Sequence, residues 1–375
     1  MDNHQNTIEK LISELCPRGV EFKELGNIVN ILDNQRKPVA KNKREIGNIP
    51  YYGANGIQGY VKDYIFDGVF LLVGEDGSVI NKDGSPILNW ANGKIWVNNH
   101  AHVLSEIKNV ALLRFVYFYL QSIDVTKIVR GTPPKINQQS LRDIKIPVPP
   151  LAIQEEIVKI LNSFTELEAE LEAELEARKK QYEYYRTELL TFNKKQKVRW
   201  VMLSDVVKIT TGKLNANAMV KGGKYPFFTC DAVPFEIDTY AFDTEAILIS
   251  GNGSRVGHVN YCNGKFNAYQ RTYILHSFKD INSGYLLTYL KAFIRNYILK
   301  NSKKGSVPYI TLPMLQTFQV PILEINKQKR IVSILDKFDA LVNDISIGLP
   351  AEIKARNQQY EYYRNKLLTF NEHAR

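Results

Sequence analysis

His100 and His102 stand two residues apart at the end of an apolar, strand-like run, GKIWVNNHAHVL. Two imidazoles at that spacing resemble half of a metal site, but no third ligand lies close in sequence, so the spacing predicts no metal. Nucleotide-binding loops fail a similar test. Gly93, Gly212, Gly223 and Gly264 each precede a lysine, and no Ser or Thr follows any of those lysines, so no ATP-binding loop is present. There is no Gly-x-Gly-x-x-Gly cofactor loop. Thr132-Pro133-Pro134-Lys135 lacks the leading amide or acid and the closing aromatic of the Asn-Pro-Pro-Tyr type of motif that holds a flipped base for methylation. No nuclease-like carboxylate cluster stands out. These residue types point to binding without a reaction centre.

Basic and amide side chains are abundant in Gly- and Asn-rich turns. Lys and Arg together number 49 against 39 Asp and Glu, a net charge of +10. That excess predicts an acidic partner, nucleic acid first and an anionic membrane second. Lys and Arg suit phosphates, whereas Asn, Gln, Arg and Ser suit base edges in the major groove. In the first half the candidate DNA contacts are Gln35, Arg36, Lys37, Lys43, Arg44, Asn55, Ser78, Asn98, His100, Arg130 and Lys135. In the second half they are Lys213, Asn215, Asn217, Asn252, Ser254, Arg255, Gln270, Arg271, Lys303 and Lys304. The loops Gly74–Ser78 and Gly251–Ser254 both place Gly, an acid or amide, and Ser together, although such tripeptides also build plain hairpin turns.

Two kinds of element must position these residues. Short runs rich in Val, Ile, Phe and Tyr, broken by Gly, Asn and Asp, predict strands and turns over 18–146 and 197–319. The run 109–129 and GYLLTYLKAFIRNYILK predict a helix in each half, and residues 5–15 a short N-terminal one. Between the modules, residues 151–193 carry no Gly or Pro. Ile157, Leu161, Phe164, Glu168, Leu171, Leu175, Arg178, Tyr182, Tyr185, Leu189 and Phe192 alternate at spacings of four and three. Such a seam needs a partner helix. The partner is in the same chain, because ARKKQYEYYRTELLTFN at 177–193 and ARNQQYEYYRNKLLTFN at 355–371 are identical at 13 of 17 positions. The second seam runs from Ile331 through Leu335, Phe338, Val342, Ile345, Leu349, Ile353, Arg356, Tyr360, Tyr363 and Leu367 to Phe370. A stutter at Leu349 and Ile353, with Gly348 and Pro350 beside it, predicts a kink or restart there. Non-seam Tyr184 and Tyr362 are candidate partner-interface residues.

The whole chain therefore reads as a duplication. VEFKELGNIVNI (20–31) corresponds to VRWVMLSDVVKI (198–209), and RGTPPKINQQSLRDIKIPVP (130–149) to KGSVPYITLPMLQTFQVPIL (304–323). The fold class is α+β, with two globular, mostly-β domains joined by two long helices. Those helices form an antiparallel intramolecular coiled coil, giving a pseudo-twofold internal repeat. The segments are 1–17 (an N-terminal helical segment), 18–146, 147–196, 197–319 and 320–375. Three scattered cysteines, Cys16, Cys230 and Cys262, with no apolar signal core in MDNHQNTIEK, fit a reducing, cytoplasmic setting. The apolar run at 110–120 is too short for a bilayer and contains Arg114, so no membrane partner is expected.

The order module, helix, module, helix, with connectors ending in QYEYYRxxLLTFN and entered through I-P or V-P segments, closely resembles the specificity (S) subunit of Type I restriction–modification systems. The resemblance covers residues 18–371. It implies target-recognition domains at 18–146 and 197–319, each reading half of a bipartite site in double-stranded DNA, with the helices as spacer. It further implies two methyltransferase (M) subunits docked on the helices and restriction (R) subunits in the full complex. S-adenosylmethionine, ATP and Mg would be held by those partners, and this chain would hold no cofactor and be no enzyme. The tandem LEAE units at Leu167 and Leu171 replace the family's Gly-Leu-Pro segment in the first connector. Two other readings stay open. A coiled-coil scaffold would show no salt-dependent DNA affinity, and a stand-alone nuclease or methyltransferase would act as the purified chain.

Overall fold

The structure is a computed structural model that describes residues 2–192, 198–302 and 307–373, with side chains from Ile8 onward. Two compact units divide the chain, Met1–Glu172 with Ile353–Arg375, and Ala173–Glu352.

In the first unit α1 (Asp2–Leu15) leads into β1 (Phe22–Glu24), β2 (Val29–Ile31), β3 (Ile49–Gly53), β4 (Gly56–Val61), β5 (Phe66–Gly74), β6 (Leu88–Val97) and β7 (Ala101–Glu106). Then come α2 (Leu113–Leu120), α3 (Gln138–Arg142) and β8 (Lys145–Pro147). The six-stranded sheet has the order β2-β7-β5-β6-β3-β4, antiparallel except where β3 runs parallel to β6. Helix α4 (Leu151–Leu190) follows, 40 residues and about 60 Å long.

The second unit repeats the plan with β9 (Arg199–Met202), α5 (Leu203–Val206), β10 (Lys208–Thr211), β11 (Tyr225–Phe228), β12 (Phe235–Ile237), β13 (Phe242–Ser250), β14 (Val259–Ala268) and β15 (Thr272–His276). It continues with α6 (Ser283–Asn301), α7 (Leu312–Gln316), β16 (Gln319–Ile322) and α8 (Ile325–Asn343), and the last helix, α9 (Leu349–Leu367), belongs to the first unit from Ile353 onward. Its sheet order, β10-β15-β13-β14-β11-β12, reproduces the first strand for strand, including the parallel pair β11 and β14.

The central strands show why the sequence folds this way. Residues Phe70–Gly74 of β5 are all buried, because both faces are covered. Leu71 and Val73 enter the core shared with α2 and α4, while Phe70 and Leu72 face a second core with Ile95, Val97 and Val103. In β13, Ile247 and Ile249 face one core and Ala246 and Leu248 the other. Double burial requires an unbroken apolar run in place of alternation. Where β5 and β6 coil, Gly68 (φ 147°) faces Gly93 (φ 81°), both in backbone geometry that favours glycine.

In each unit an equivalent glutamine ties the start of the module's helix, α2 or α6, to the connector helix. Gln154, fully buried, accepts from the Leu112 N–H (2.9 Å) and donates to the Pro149 carbonyl (2.7 Å). Gln328 accepts from the Asn282 N–H and donates to the Leu323 carbonyl, both at 2.8 Å. Within the first unit, α4 packs on α9 through Phe164 against Tyr360 and Tyr363. Within the second, α4 packs on α8 through Tyr185 against Phe338. The early half of α4 thus meets the late partner helix and the late half the early one, which is the order antiparallel pairing demands.

Two expectations need correction. The predicted helix over 109–129 is only α2, Leu113–Leu120. Beyond it Asp124 accepts from the Thr126 N–H (2.8 Å) and the Val125 N–H is taken by the Gly84 carbonyl, so the α-helix stops and only one 3₁₀ turn, Thr126–Ile128, follows. The second connector is two helices, and seam residue Ile345 lies in the break between them, 81% exposed. Asp344 turns the chain by accepting from the Ser346 N–H (2.7 Å), and a Cβ on Gly348 would sit 2.4 Å from the Ala340 carbonyl oxygen. Pro350 opens α9, as its missing donor allows.

Candidate nucleic-acid interface

In the first module four loops converge on Glu75. Its N–H donates to the His100 carbonyl and its own carbonyl accepts from the Ile136 N–H, both at 2.9 Å. The Gly77 N–H donates to the Pro134 carbonyl at 2.9 Å. The second module draws the same three bonds: Gly251 N–H to Arg271 carbonyl (2.9 Å), Ile310 N–H to Gly251 carbonyl (2.8 Å) and Gly253 N–H to Pro308 carbonyl (3.3 Å). A fourth match links Asn98 N–H to Tyr52 carbonyl and Tyr269 N–H to Phe228 carbonyl. Bond for bond, Glu75 therefore corresponds to Gly251, Asp76 to Asn252, Ser78 to Ser254, His100 to Arg271 and Lys135 to Tyr309.

The side chains on this shared frame differ. In the first module Glu75 takes Arg36 Nη1 at 2.5 Å and Lys135 Nζ at 3.0 Å. Behind it the fully buried His102 lies between Asp33 Oδ2 (2.6 Å) and the Ile136 carbonyl (2.8 Å). Asp33 also accepts from the Val103 N–H (3.0 Å) and from Gln138 (2.9 Å). Burial raises the Asp33 carboxyl, but the hydrogen bonds and charges of His102, Val103 and Arg36 outweigh it and hold the group below its ordinary value. Glu75 is likewise raised by burial and lowered, on balance, by Arg36 and Lys135.

Ligand atoms of Asp33, Glu75 and His102 all lie within 4.8 Å of one another, so folding supplies the neighbours that the sequence spacing around His102 lacked. Arg36 and Lys135 already neutralise the carboxylates, which makes the cluster an ionic knot and leaves little charge for a cation. In the second module Gly251 replaces Glu75, with no room for a Cβ (2.2 Å from the Arg271 carbonyl oxygen). Tyr273 there takes over the role of His102, its hydroxyl donating to the Ile310 carbonyl at 3.0 Å.

Among the sequence candidates, Gln35, Lys37, Lys43, Asn55, Ser78, His100, Arg130 and Lys135 are exposed. His100 is held at Nδ1 by Asp76 Oδ1 at 2.5 Å. Three others serve the module itself. Arg36 joins the ionic knot, and Arg44 lies 3.9 Å over the Tyr51 ring and donates to the Val39 carbonyl. Buried Asn98 accepts from the His100 N–H at 2.8 Å and so shapes the turn that presents His100. In the second module Lys213, Asn215, Asn217, Ser254, Arg255, Gln270 and Arg271 are exposed, with Gln270 donating to Asn215 at 3.1 Å. Half-buried Asn252 accepts from the Cys230 thiol at 3.0 Å. Lys303 and Lys304 lie outside the described residues. Tyr184 and Tyr362 are 61% and 60% exposed. Sequence reasoning named His102 and the Gly74–Ser78 loop but missed Asp33 and Gln138, and with them the cluster, whose meeting depends on loops far apart in the chain.

Among the described residues no helix is long and apolar enough to cross a membrane. The profile of the Type I restriction modification DNA specificity domain matches twice, at residues 17–177 and 195–355. A Haemophilus influenzae protein described as a type I restriction enzyme specificity subunit is 36% identical, over 99% of this chain and all of that one. The EcoR124I/EcoR124II specificity subunit of Escherichia coli is 35% identical, over 70% of this chain and 72% of its own. The crystal structure of a Type-I restriction-modification system S subunit from M. genitalium superposes with a TM-score of 0.64 at 16% identity, covering 93% of this chain and 96% of that one. With two domain matches on two copies of one frame, the chain belongs to the family of Type I restriction modification DNA specificity subunits.

Proposed function

We propose that each six-stranded module reads one half of an asymmetric bipartite site in double-stranded DNA. The carrying observation is the shared loop frame: one set of backbone bonds, drawn twice, presents Asp76, Ser78, His100 and Lys135 in one module and Asn252, Ser254, Arg271 and Tyr309 in the other. A shared frame whose side chains differ at three of these four places does one task on two different sequences. Exposed Lys and Arg around each frame set register on phosphates.

The helices hold two methyltransferase subunits, with Tyr184 and Tyr362 as exposed aromatic contacts, and restriction subunits join the full complex. S-adenosylmethionine, ATP and Mg act on those partners. This chain supplies recognition and no reaction centre of its own. The test is methylome sequencing of host DNA with and without the gene. Loss of methylation at one asymmetric, gapped motif is the expected result. An unchanged methylome, together with no salt-dependent DNA affinity of the purified chain, would leave the scaffold reading.

A further inference from the structure

The matched frames place His100 and Arg271 in one and the same slot, and Asp76 and Asn252 in the slot beside it. The two slots change together. In the first module Asp76 Oδ1 lies 2.5 Å from His100 Nδ1. The ring nitrogen that faces the carboxylate is the one that donates, so this contact selects the tautomer with its proton on Nδ1 and Nε2 left as a lone-pair acceptor. The ring is held yet nearly half exposed, with 47% of its side-chain surface open. In the second module Asn252 replaces the carboxylate, and its Oδ1 is engaged by the Cys230 thiol. Among the described residues no carboxylate lies within ion-pair distance of the exposed Arg271 guanidinium, which therefore keeps its planar fork of donors.

We propose that His100 and Arg271 are specificity-determining residues at the same position of the two half-sites. His100 accepts from the exocyclic amine of an adenine or cytosine, and Arg271 donates to O6 and N7 of a guanine. The assignment rests on the DNA-reading function proposed above and adds the class of base each module takes. In the major groove only adenine and cytosine offer an amine donor, and guanine offers the adjacent acceptor pair that an arginine fork spans. A phosphate contact by either residue would carry no such selectivity.

The test transplants one slot at a time in the intact chain, expressed with its partner subunits, and reads the host methylome. Arg271→Gln is expected to convert one guanine of one half-site to adenine, because glutamine pairs with adenine N6 and N7. The double variant Asp76→Asn with His100→Arg, which copies the second module's pair into the first, is expected to install a guanine at one position of the other half-site. Each shift in base preference should be roughly ten- to a hundred-fold. In each variant the untouched half-site stays unchanged and reports a folded, assembled complex. The assignment is overturned if both variants keep the parental base preferences. It is equally overturned if methylation drops uniformly over all sequences, which is the behaviour of a phosphate contact. If the unaltered chain directs no gapped motif at all, the DNA-reading function itself fails, an outcome separate from the other two.

Discussion

Phe164 stacks on Tyr363 with ring centroids 5.5 Å apart and planes at 28°, and Phe338 stacks on Tyr185 at 5.4 Å and 29°. The same joint is made twice, once in each unit, by residues 174 and 178 positions apart in the sequence. Phe164 is 4% exposed. Phe164→Ala should destabilise the first unit by about 3–5 kcal/mol, as loss of a buried aromatic does. Tyr362→Ala, at an exposed position, should change stability by less than about 0.5 kcal/mol. Chemical denaturation of both variants decides the matter, and similar losses would mean that the stacked joint does not carry the packing.

Tyr184 and Tyr362 lie off that seam. Replacing both with alanine should leave unfolding unchanged and reduce recovery of methyltransferase subunits in co-purification. Full recovery would remove them from the docking surface.

Gln154 offers a sharper stability test. Its truncation to alanine orphans the Leu112 N–H and the Pro149 carbonyl at a fully buried site. A loss of about 3 kcal/mol is expected. Glutamate at the same position restores only the acceptor, so it should recover less than glutamine does, as thermal unfolding would reveal.

The ionic knot gives the modules different responses to acid. Asp33 and Glu75 both have lowered folded-state values, against ordinary values of 3.8 and 4.5. Groups lowered in this way stabilise the fold fully above their ordinary values, and that stabilisation is lost as pH falls through the lower folded-state values. The second module has Gly251 and Tyr273 at the corresponding places of Glu75 and His102. Below about pH 4, amides of the 75–78 and 98–101 loops should exchange before those of 251–254 and 269–272. Hydrogen exchange followed by mass spectrometry reads both sets at once. Simultaneous loss of protection would show that the knot does not order its loops.

The tandem LEAE units bear on spacing. Deleting Leu171–Glu174 removes about 6 Å of helix, close to two base-pair steps. The unread gap in the methylated motif should shorten by one or two base pairs while both half-sites stay the same. A variant that keeps the original gap would contradict a ruler role for α4.

The repeat, the long helix and the stutter at Gly348 were legible in the sequence because they rest on period, identity and glycine or proline chemistry, all local signals. Helix α2 was overestimated because its apolar run continues past Leu120, where Asp124 and a distant glycine carbonyl capture the backbone. The seam at Ile345 failed for a related reason, since periodicity ignores the turn made by Asp344 and Gly348. Around the candidate interface, the exposure of Ser78, Arg255 and Arg271 was legible from composition and turn context. Arg36 and Arg44 were indistinguishable from them, since a buried ion pair or a stacked tyrosine leaves no mark on the neighbouring residues. The match of His100 with Arg271 was also hidden, because it lies in carbonyl and amide partners and in no shared side chain.

Each module is entered and left by neighbouring strands. Phe22–Glu24 pairs antiparallel with Lys145–Pro147, and Arg199–Met202 with Gln319–Ile322. Entry and exit therefore lie about 5 Å apart, and between them the first module also packs on α4 through the core that holds Leu71, Val73 and Ile157. A foreign module cut at the same two strands would meet α4 through the same joint if it kept apolar residues on that face and a backbone donor for Gln154. Those two strand pairs thus mark where each module could be cut out and replaced while α4, α8 and α9 keep their own sequence.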